Sequence, residues 1–348
     1  MVFTCEQVSR GHPDKICDQI ADAVLTDCLR HDRDSRVAVE CMIKDSMVLI
    51  AGEITSKHFP DFKALVQDVL RKIGLPDVEA YSIHPMITCQ SADIALGVDR
   101  GGAGDQGIVY GYATNETPEL MPLPFMLATQ ALEMLAALEH PTLLPDAKSQ
   151  VTYDYKAGRI DTFLISTQHK PNARLHRLRK TVSTTMEAAA DLYNQNTDFR
   201  VLVNPTGRFE IGGSFADTGV TGRKIIADSY GGICRHGGGA FSGKDPTKID
   251  RSGAYIARKI ARDLVLAGDA DRCEVQLAYA IGIAEPVSVA LNCFGTNHFS
   301  KDALIQKVKT QYDLTPRGII DRLGLLDVDY TRVSAYGHFG KKGLPWEQ

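Results

Sequence analysis

An arrangement that recurs three times along the chain constrains the fold most: an amphipathic helix, two strands around a tight turn, a second helix, then a further strand. The first copy opens with Asp14–Arg30, where Ile16, Ile20, Val24 and Cys28 recur every four residues and form one apolar stripe. Strands are predicted over Arg36–Ile43 and Met47–Ile54 around Lys44-Asp45-Ser46, then a helix near Asp61–Ile73 and a strand near Val78–Thr88. The second copy predicts helix Phe125–Leu138, strands Gln150–Tyr155 and Arg159–Ser166, helix Arg174–Asn194, and strands Phe199–Asn204 and Arg208–Ile211. The third predicts helix Asp250–Leu266 with Ile256, Ile260 and Leu264 as its stripe, strands Arg272–Ile281 and Pro286–Cys293, helix Lys301–Tyr312, and an ending near Val333–Phe339. The period, roughly 110–130 residues, exceeds that of a solenoid. The reading is an α+β protein of three pseudo-symmetric α/β units, each a sheet backed by helices. The units span 1–100, 101–210 (opening with GAGDQG) and 211–348 (carrying GGGAFSGKD), with strands open to exchange between them.

Charge and cysteine usage narrow the function. The 348 residues hold 39 Lys and Arg against 43 Asp and Glu, a formal net charge of −4. A whole-surface grip on nucleic acid needs a basic protein, so no nucleic-acid partner is expected. No apolar run approaches the ~18 residues of a membrane helix, so no membrane partner is expected. The opening MVFTCEQVSRGHPDK lacks an apolar secretory core. Eight cysteines are widely spread, form no CxxC pair and sit in apolar-periodic stretches, which points to a reducing, cytoplasmic setting.

Two glycine-rich breaks, Gly97–Gly107 and Gly231–Gly243, carry charged residues that plain linkers rarely need. Loops where backbone approaches a ligand look like this. Gly238 to Lys244 satisfies G-x-x-x-x-G-K, but Asp245 follows where a phosphate loop requires Ser or Thr, and DPTKID intervenes before the helix. A standard P-loop fold is therefore disfavoured, while the glycine N–H groups and Lys244 still suit phosphate oxygens. Lys148, Arg223, Lys224 and Lys248 also lie near Gly-rich or Pro-containing turns, and together the five cations fit a polyphosphate cradle. Such a ligand usually brings Mg²⁺, which takes carboxylate oxygens. Asp14 and Asp250 open the first helix of copies one and three, as caps or as metal ligands. His12 enters the first helix beside Pro13 and can donate to a phosphate or leaving oxygen. Glu40 and Glu53, on the first hairpin, suit a cation or a substrate ammonium, and Phe209 suits either core packing or base stacking. No arrangement suggests a covalent nucleophile.

Taken together, GHPDK (Gly11–Lys15), GEIT (Gly52–Thr55), GAGDQG (Gly102–Gly107), DAKSQV (Asp146–Val151), NPTGRF (Asn204–Phe209), TGRKII (Thr221–Ile226), the run from Tyr230 to Ser252 and the closing AYGHFG…PWE resemble the S-adenosylmethionine synthetases, also called methionine adenosyltransferases. The resemblance implies a three-unit pseudo-symmetric fold and the joining of ATP and L-methionine. Methionine sulfur attacks ribose C5′, the whole triphosphate leaves, and it is then cleaved to pyrophosphate and phosphate. It implies a homodimer or homotetramer with sites between two antiparallel subunits, and two Mg²⁺ and one K⁺ per site. By motif, His12, Lys148, Arg223, Lys224 and Lys244 are catalytic. The ATP-binding set is His12, Asp146, Lys148, Arg208, Phe209, Asp217, Arg223, Lys224, Ala240 and Lys244. Glu53, Gln90, Asp105, Asp217 and Lys248 contact methionine, Asp14 and Asp250 hold Mg²⁺, and Glu40 holds K⁺. Members of the family usually carry Glu before GHPDK; this chain has Arg10, expected either to weaken the potassium dependence or to add a phosphate contact. A catalytically silent homologue and a phosphotransferase using the glycine-rich loop alone are the competing readings.

Overall fold

Helix α1 (Pro13–His31) starts because His12 holds an extended cap conformation at φ −62, ψ 135 and its ring accepts the Asp14 N–H, while Pro13 fills a first-turn position that needs no N–H. This computed structural model describes residues 1–89 and 102–348. Strands β1 (Val2–Val8), β2 (Arg36–Lys44) and β3 (Met47–Thr55) flank α1, followed by α2 (Phe62–Ile73), a 3₁₀ turn at Val78–Ala80 and β4 (Ser82–Thr88). The middle of the chain gives β5 (Gly107–Thr114), α3 (Leu123–Ala137), β6 (Leu143–Asp154), β7 (Arg159–His169), α4 (Leu175–Leu192) and β8 (Arg200–Val203). The remainder gives β9 (Gly219–Val220), α5 (Ile225–Asp228), α6 (Ile249–Leu266), β10 (Arg272–Tyr279), β11 (Ser288–Asn292), α7 (Lys301–Gln311) and α8 (Pro316–Leu323).

Three sheets result, ordered β4-β3-β2-β9, β1-β6-β7-β8 and β11-β10-β5. Each is built on the hairpin of one sequence repeat, and the repeat's opening helix covers it: α1 packs on β2, α3 on β6, and α6 on β10. The outermost strand beside each hairpin comes from elsewhere in the chain. β1 pairs antiparallel with β6, β5 with β10, and β9 with β2. In chain order, the strand ahead of each helix thus joins another unit's sheet, and the exchange runs in a closed ring. The first two sheets end on a parallel strand, β4 against β3 and β8 against β7.

The strand predicted at Arg208–Ile211 does not form. Residues 208–211 make no backbone ladder with β7: the Phe209 carbonyl accepts the His169 N–H at 2.9 Å, the Glu210 carbonyl accepts the Gln168 side chain at 3.0 Å, and positive φ at Gly207 and Gly213 breaks the run on both sides. Residues 333–339 form turns, because Tyr336, Gly337 and Gly340 all hold positive φ and no pleated ladder accommodates them. Conversely, the repeat pattern assigned no strand to β1, β5 or β9, whose partners lie elsewhere in the chain. The cysteines behave as small apolar groups: all but Cys89 are buried and none is bridged.

Candidate active site

The site is built from one face of α1. Asp14, Asp18 and Asp22 recur every four residues and stack one turn apart. Each carboxylate accepts a loop amide: Asp14 from Val220 at 3.0 Å, Asp18 from Gly222 at 2.9 Å, Asp22 from Gly243 at 2.9 Å. Each also holds a cation. Lys224 Nζ lies 2.5 Å from Asp14, Lys15 Nζ 2.9 Å from Asp18, and Arg251 grips Asp22 through two nitrogens at 2.7 and 2.9 Å. Sequence reasoning singled out Asp14 alone. The signal for the other two was their four-residue spacing on a helix face that is otherwise apolar.

The loops so anchored run one after the other along the edge of β2. β9 pairs with Met42 and Ile43, and Thr221 then exchanges hydrogen bonds with Cys41 at 2.9 Å. Next, Val39 donates to Gly243 at 3.0 Å, Lys244 bridges to Ala38, and Asp245 takes up Val37. The two approaches are close enough to require glycine. A Cβ on Gly243 would lie 2.0 Å from the Val39 carbonyl, at φ +81, and one on Gly219 would lie 2.1 Å from the Pro13 carbonyl. The edge of one strand thereby carries the TGRK and FSGKD cations side by side.

Two groups of side chains face out of this frame. In the first, buried His12 stands 3.9 Å from Asp14, with Lys224 and Lys148 close enough to act on its charge. Burial first, then the Lys224 ammonium, pushes the His12 ring from 6.5 down to about 4, so the ring is neutral at physiological pH. Because Nδ1 accepts the Asp14 N–H at 3.2 Å, the ring's proton sits on Nε2. Arg223 lies 3.8 Å from Asp14. Asp146 accepts the Gly213 N–H at 2.8 Å, and burial raises its carboxyl above the ordinary range. Its other oxygen, Oδ1, is buried without a hydrogen-bond partner among the described residues. Exposed Asp217 acts on both His12 and Asp146.

The second group lines a cleft of about 340 Å³ walled by Glu40, Glu53, Thr221, Ala240, Ser242 and Lys244, among others. Lys244 Nζ lies 2.5 Å from Asp250. A Cβ on Gly239 would fall 2.2 Å from the Asp250 carboxylate, so only glycine lets the loop backbone pack this close against it. Lys248 pairs with buried Asp245 at 2.5 Å.

Models of the three domains of S-adenosylmethionine synthetase match the chain: the N-terminal domain at residues 1–92, the central domain at 100–209 and the C-terminal domain at 211–348. The chain belongs to the S-adenosylmethionine synthetase family. It is a methionine adenosyltransferase, forming S-adenosylmethionine from ATP and L-methionine, and the family depends on metal ions.

Against the residue set that the synthetase motifs suggested, the fold draws His12, Asp14, Asp146, Lys148, Asp217, Arg223 and Lys224 into the first group, and Glu40, Glu53, Ala240, Lys244, Lys248 and Asp250 into the second. Phe209 is half-buried, its amide donating to His169 Nε2 at 3.0 Å, and Arg208 beside it is exposed. Asp105 is exposed at the start of β5, where Gly107 approaches Asp250. Gln90 lies outside the described residues. Arg10 does not reach the cleft of Glu40 and Lys244; it lines a different one with Gly74, Leu75 and His140. The expected link between Arg10 and potassium at Glu40 therefore finds no contact in this chain.

Proposed function

We propose that the first group of one subunit and the second group of its partner close on a single site for ATP and methionine, in a homodimer that can pair into a homotetramer. The observation that carries this reading is the division of the assigned residues: the methionine set alone is split between Asp217 in one group and Glu53 and Lys248 in the other. Exposed apolar residues on the sheets, including Met47, Met86 and Ile108, give such a dimer a surface to cover.

The chemistry follows from the residues. Thioether sulfur carries no proton, so no base is needed; its lone pair forms the bond to C5′ as the C5′–O pair departs with the triphosphate. The barrier lies in alignment and in charge on the departing oxygen. His12 presents Nε2–H to that oxygen as a hydrogen-bond donor and keeps its proton. Lys148, Arg223, Lys224 and Lys244 spread the charge of the triphosphate, which water then splits to pyrophosphate and phosphate. Asp146, Arg208, Phe209, Asp217 and Ala240 seat the nucleoside, with Phe209 stacked on adenine. Glu53, Gln90, Asp105, Asp217 and Lys248 seat methionine. Asp14 and Asp250 are hard oxygen donors that already attract a cation each, which fits two Mg²⁺ per site, and Glu40 fits one K⁺. When bound, magnesium adds positive charge where the phosphates sit and leaves Lys224 and Lys244 to the anion. A cytoplasmic location accords with the unbridged cysteines. Among the described residues no helix is long and apolar enough to cross a membrane.

Mixing two inactive variants tests the shared site. H12A and K244A should each lower turnover alone by at least about 10²-fold. Dissociated and reassociated together in equal amounts, they form mixed dimers with one intact site, and about a quarter of the wild-type rate returns. Failure of any activity to return, with dimer exchange verified, overturns the shared site.

A further inference from the structure

We propose that Asp27, His31 and His58 form a binding site for a first-row divalent transition ion, separate from the magnesium carboxylates, that clamps the C-terminal end of α1 to the loop after β3. The ligand atoms of the three side chains lie within 4.8 Å of one another. A tetrahedral ion with bonds of about 2.0–2.2 Å spaces its ligands about 3.3 Å apart, and because an imidazole lone pair lies in the ring plane, the two stacked rings turn apart to complete the set.

Each ligand is already held near the others. His31 Nδ1 lies 2.9 Å from the Asp27 carbonyl and 3.5 Å from the Asp27 carboxylate, so this nitrogen stands beside the other ligand atoms and would exchange its hydrogen bond to the carbonyl for the ion. His58 Nε2 lies 2.7 Å from Asp27 Oδ2, where an ion can replace the shared proton. The imidazoles stack at 4.0 Å between centroids. Asp27 and His31 are one turn apart on α1, and the third ligand comes from a loop that is pinned independently. Lys57 N donates to Asp32 at 2.8 Å, Ser56 Oγ meets Ser35 Oγ at 2.8 Å, and His58 N donates to Ser56 Oγ at 3.1 Å. Nearby cations are engaged elsewhere: Arg30 with Asp329 at 2.8 Å, and Arg33 with Asp327. The helix C-terminus adds partial negative charge. Two imidazoles and one carboxylate select zinc, cobalt, nickel or copper over magnesium, so the ion that serves the phosphates does not compete here. The side chain of His31 is 55% exposed, which leaves the fourth position to water.

The test uses the full-length, chelator-stripped protein. Cobalt is titrated and followed by its visible d–d absorption, and zinc by calorimetry, with millimolar Mg²⁺ present throughout. One equivalent is expected per chain, with cobalt bands of a four-coordinate site and a rise in the thermal midpoint. H31A and H58A should each weaken binding at least tenfold and abolish the midpoint rise, while Mg²⁺-dependent synthesis of S-adenosylmethionine in metal-stripped protein stays at the wild-type level. Because His31 is exposed, its removal leaves the core intact. Equal zinc affinity in wild type and H31A, or octahedral cobalt bands displaced by magnesium, overturns the site.

Discussion

His12 illustrates how a single residue is set by its surroundings. In isolation a histidine is half-charged near pH 6.5; here burial and Lys224 hold it neutral down to about pH 4. Between those values the unfolded chain binds a proton that the folded chain refuses, so stability is full above pH 6.5 and falls as pH drops through that window. H12N should remove that part of the acid loss, narrowing the fall in unfolding free energy between pH 7 and pH 5 by about 2 kcal/mol in urea titrations. The same neutrality predicts that kcat/KM shows no inflection from His12 between pH 6 and 8. Replacing His12 with alanine should lower kcat by about 10²–10³ with little change in KM for ATP, because a donor to the leaving oxygen acts in the transition state. Steady-state kinetics checks both. Gly243 is set by space alone: at φ +81 with the Val39 carbonyl 2.0 Å from any Cβ, G243A should cost about 3 kcal/mol, read from the urea midpoint.

At the scale of elements, α1 is both core helix and scaffold. Its apolar stripe was legible from the recurrence of Ile16, Ile20, Val24 and Cys28, and its observed bounds differ from the expected ones by a residue at either end. Its second stripe, of carboxylates, reads as surface in a sequence because isolated acids are usually solvated. Only the packing of two glycine loops against it turns Asp18 and Asp22 into buried anchors. Asp22 and Arg251 are both fully buried, and Arg251 also lies 4.1 Å over the Tyr330 ring. D22A leaves that guanidinium unpaired and should destabilise the protein by about 3–5 kcal/mol. The double variant D22A/R251M should lose less than D22A alone, since no bare charge remains. Chemical unfolding of the three variants measures the difference.

Across the whole molecule, the exchange of outer strands makes the three sheets mutually dependent. β1 completes the sheet of β6 and β7, β5 that of β10 and β11, and β9 that of β2 and β3. Removing one strand exposes the edge of another unit's sheet. Heat or urea should therefore unfold the metal-free chain in one transition, with near- and far-ultraviolet circular dichroism superimposing. A resolved early step confined to one unit would show that the ring is not closed energetically. Deleting residues 2–8 should weaken the central sheet, seen as faster amide exchange in β6.

The amino-acid order by itself determined the local pieces: the repeated helices and hairpins, because periodicity is a property of neighbours in sequence, and the phosphate-binding vocabulary of GHPDK, DAKSQV, TGRK and GGGAFSGKD. It left the outer strands unassigned, since β1, β5 and β9 owe their conformation to partners far along the chain. It also left undecided which motif stands beside which. Tertiary structure settled that by docking TGRK and FSGKD in turn along β2 and tying both to the carboxylates of α1. The physical reason is that hydrogen bonds between distant segments, and the desolvation that makes them strong, exist only once those segments have met.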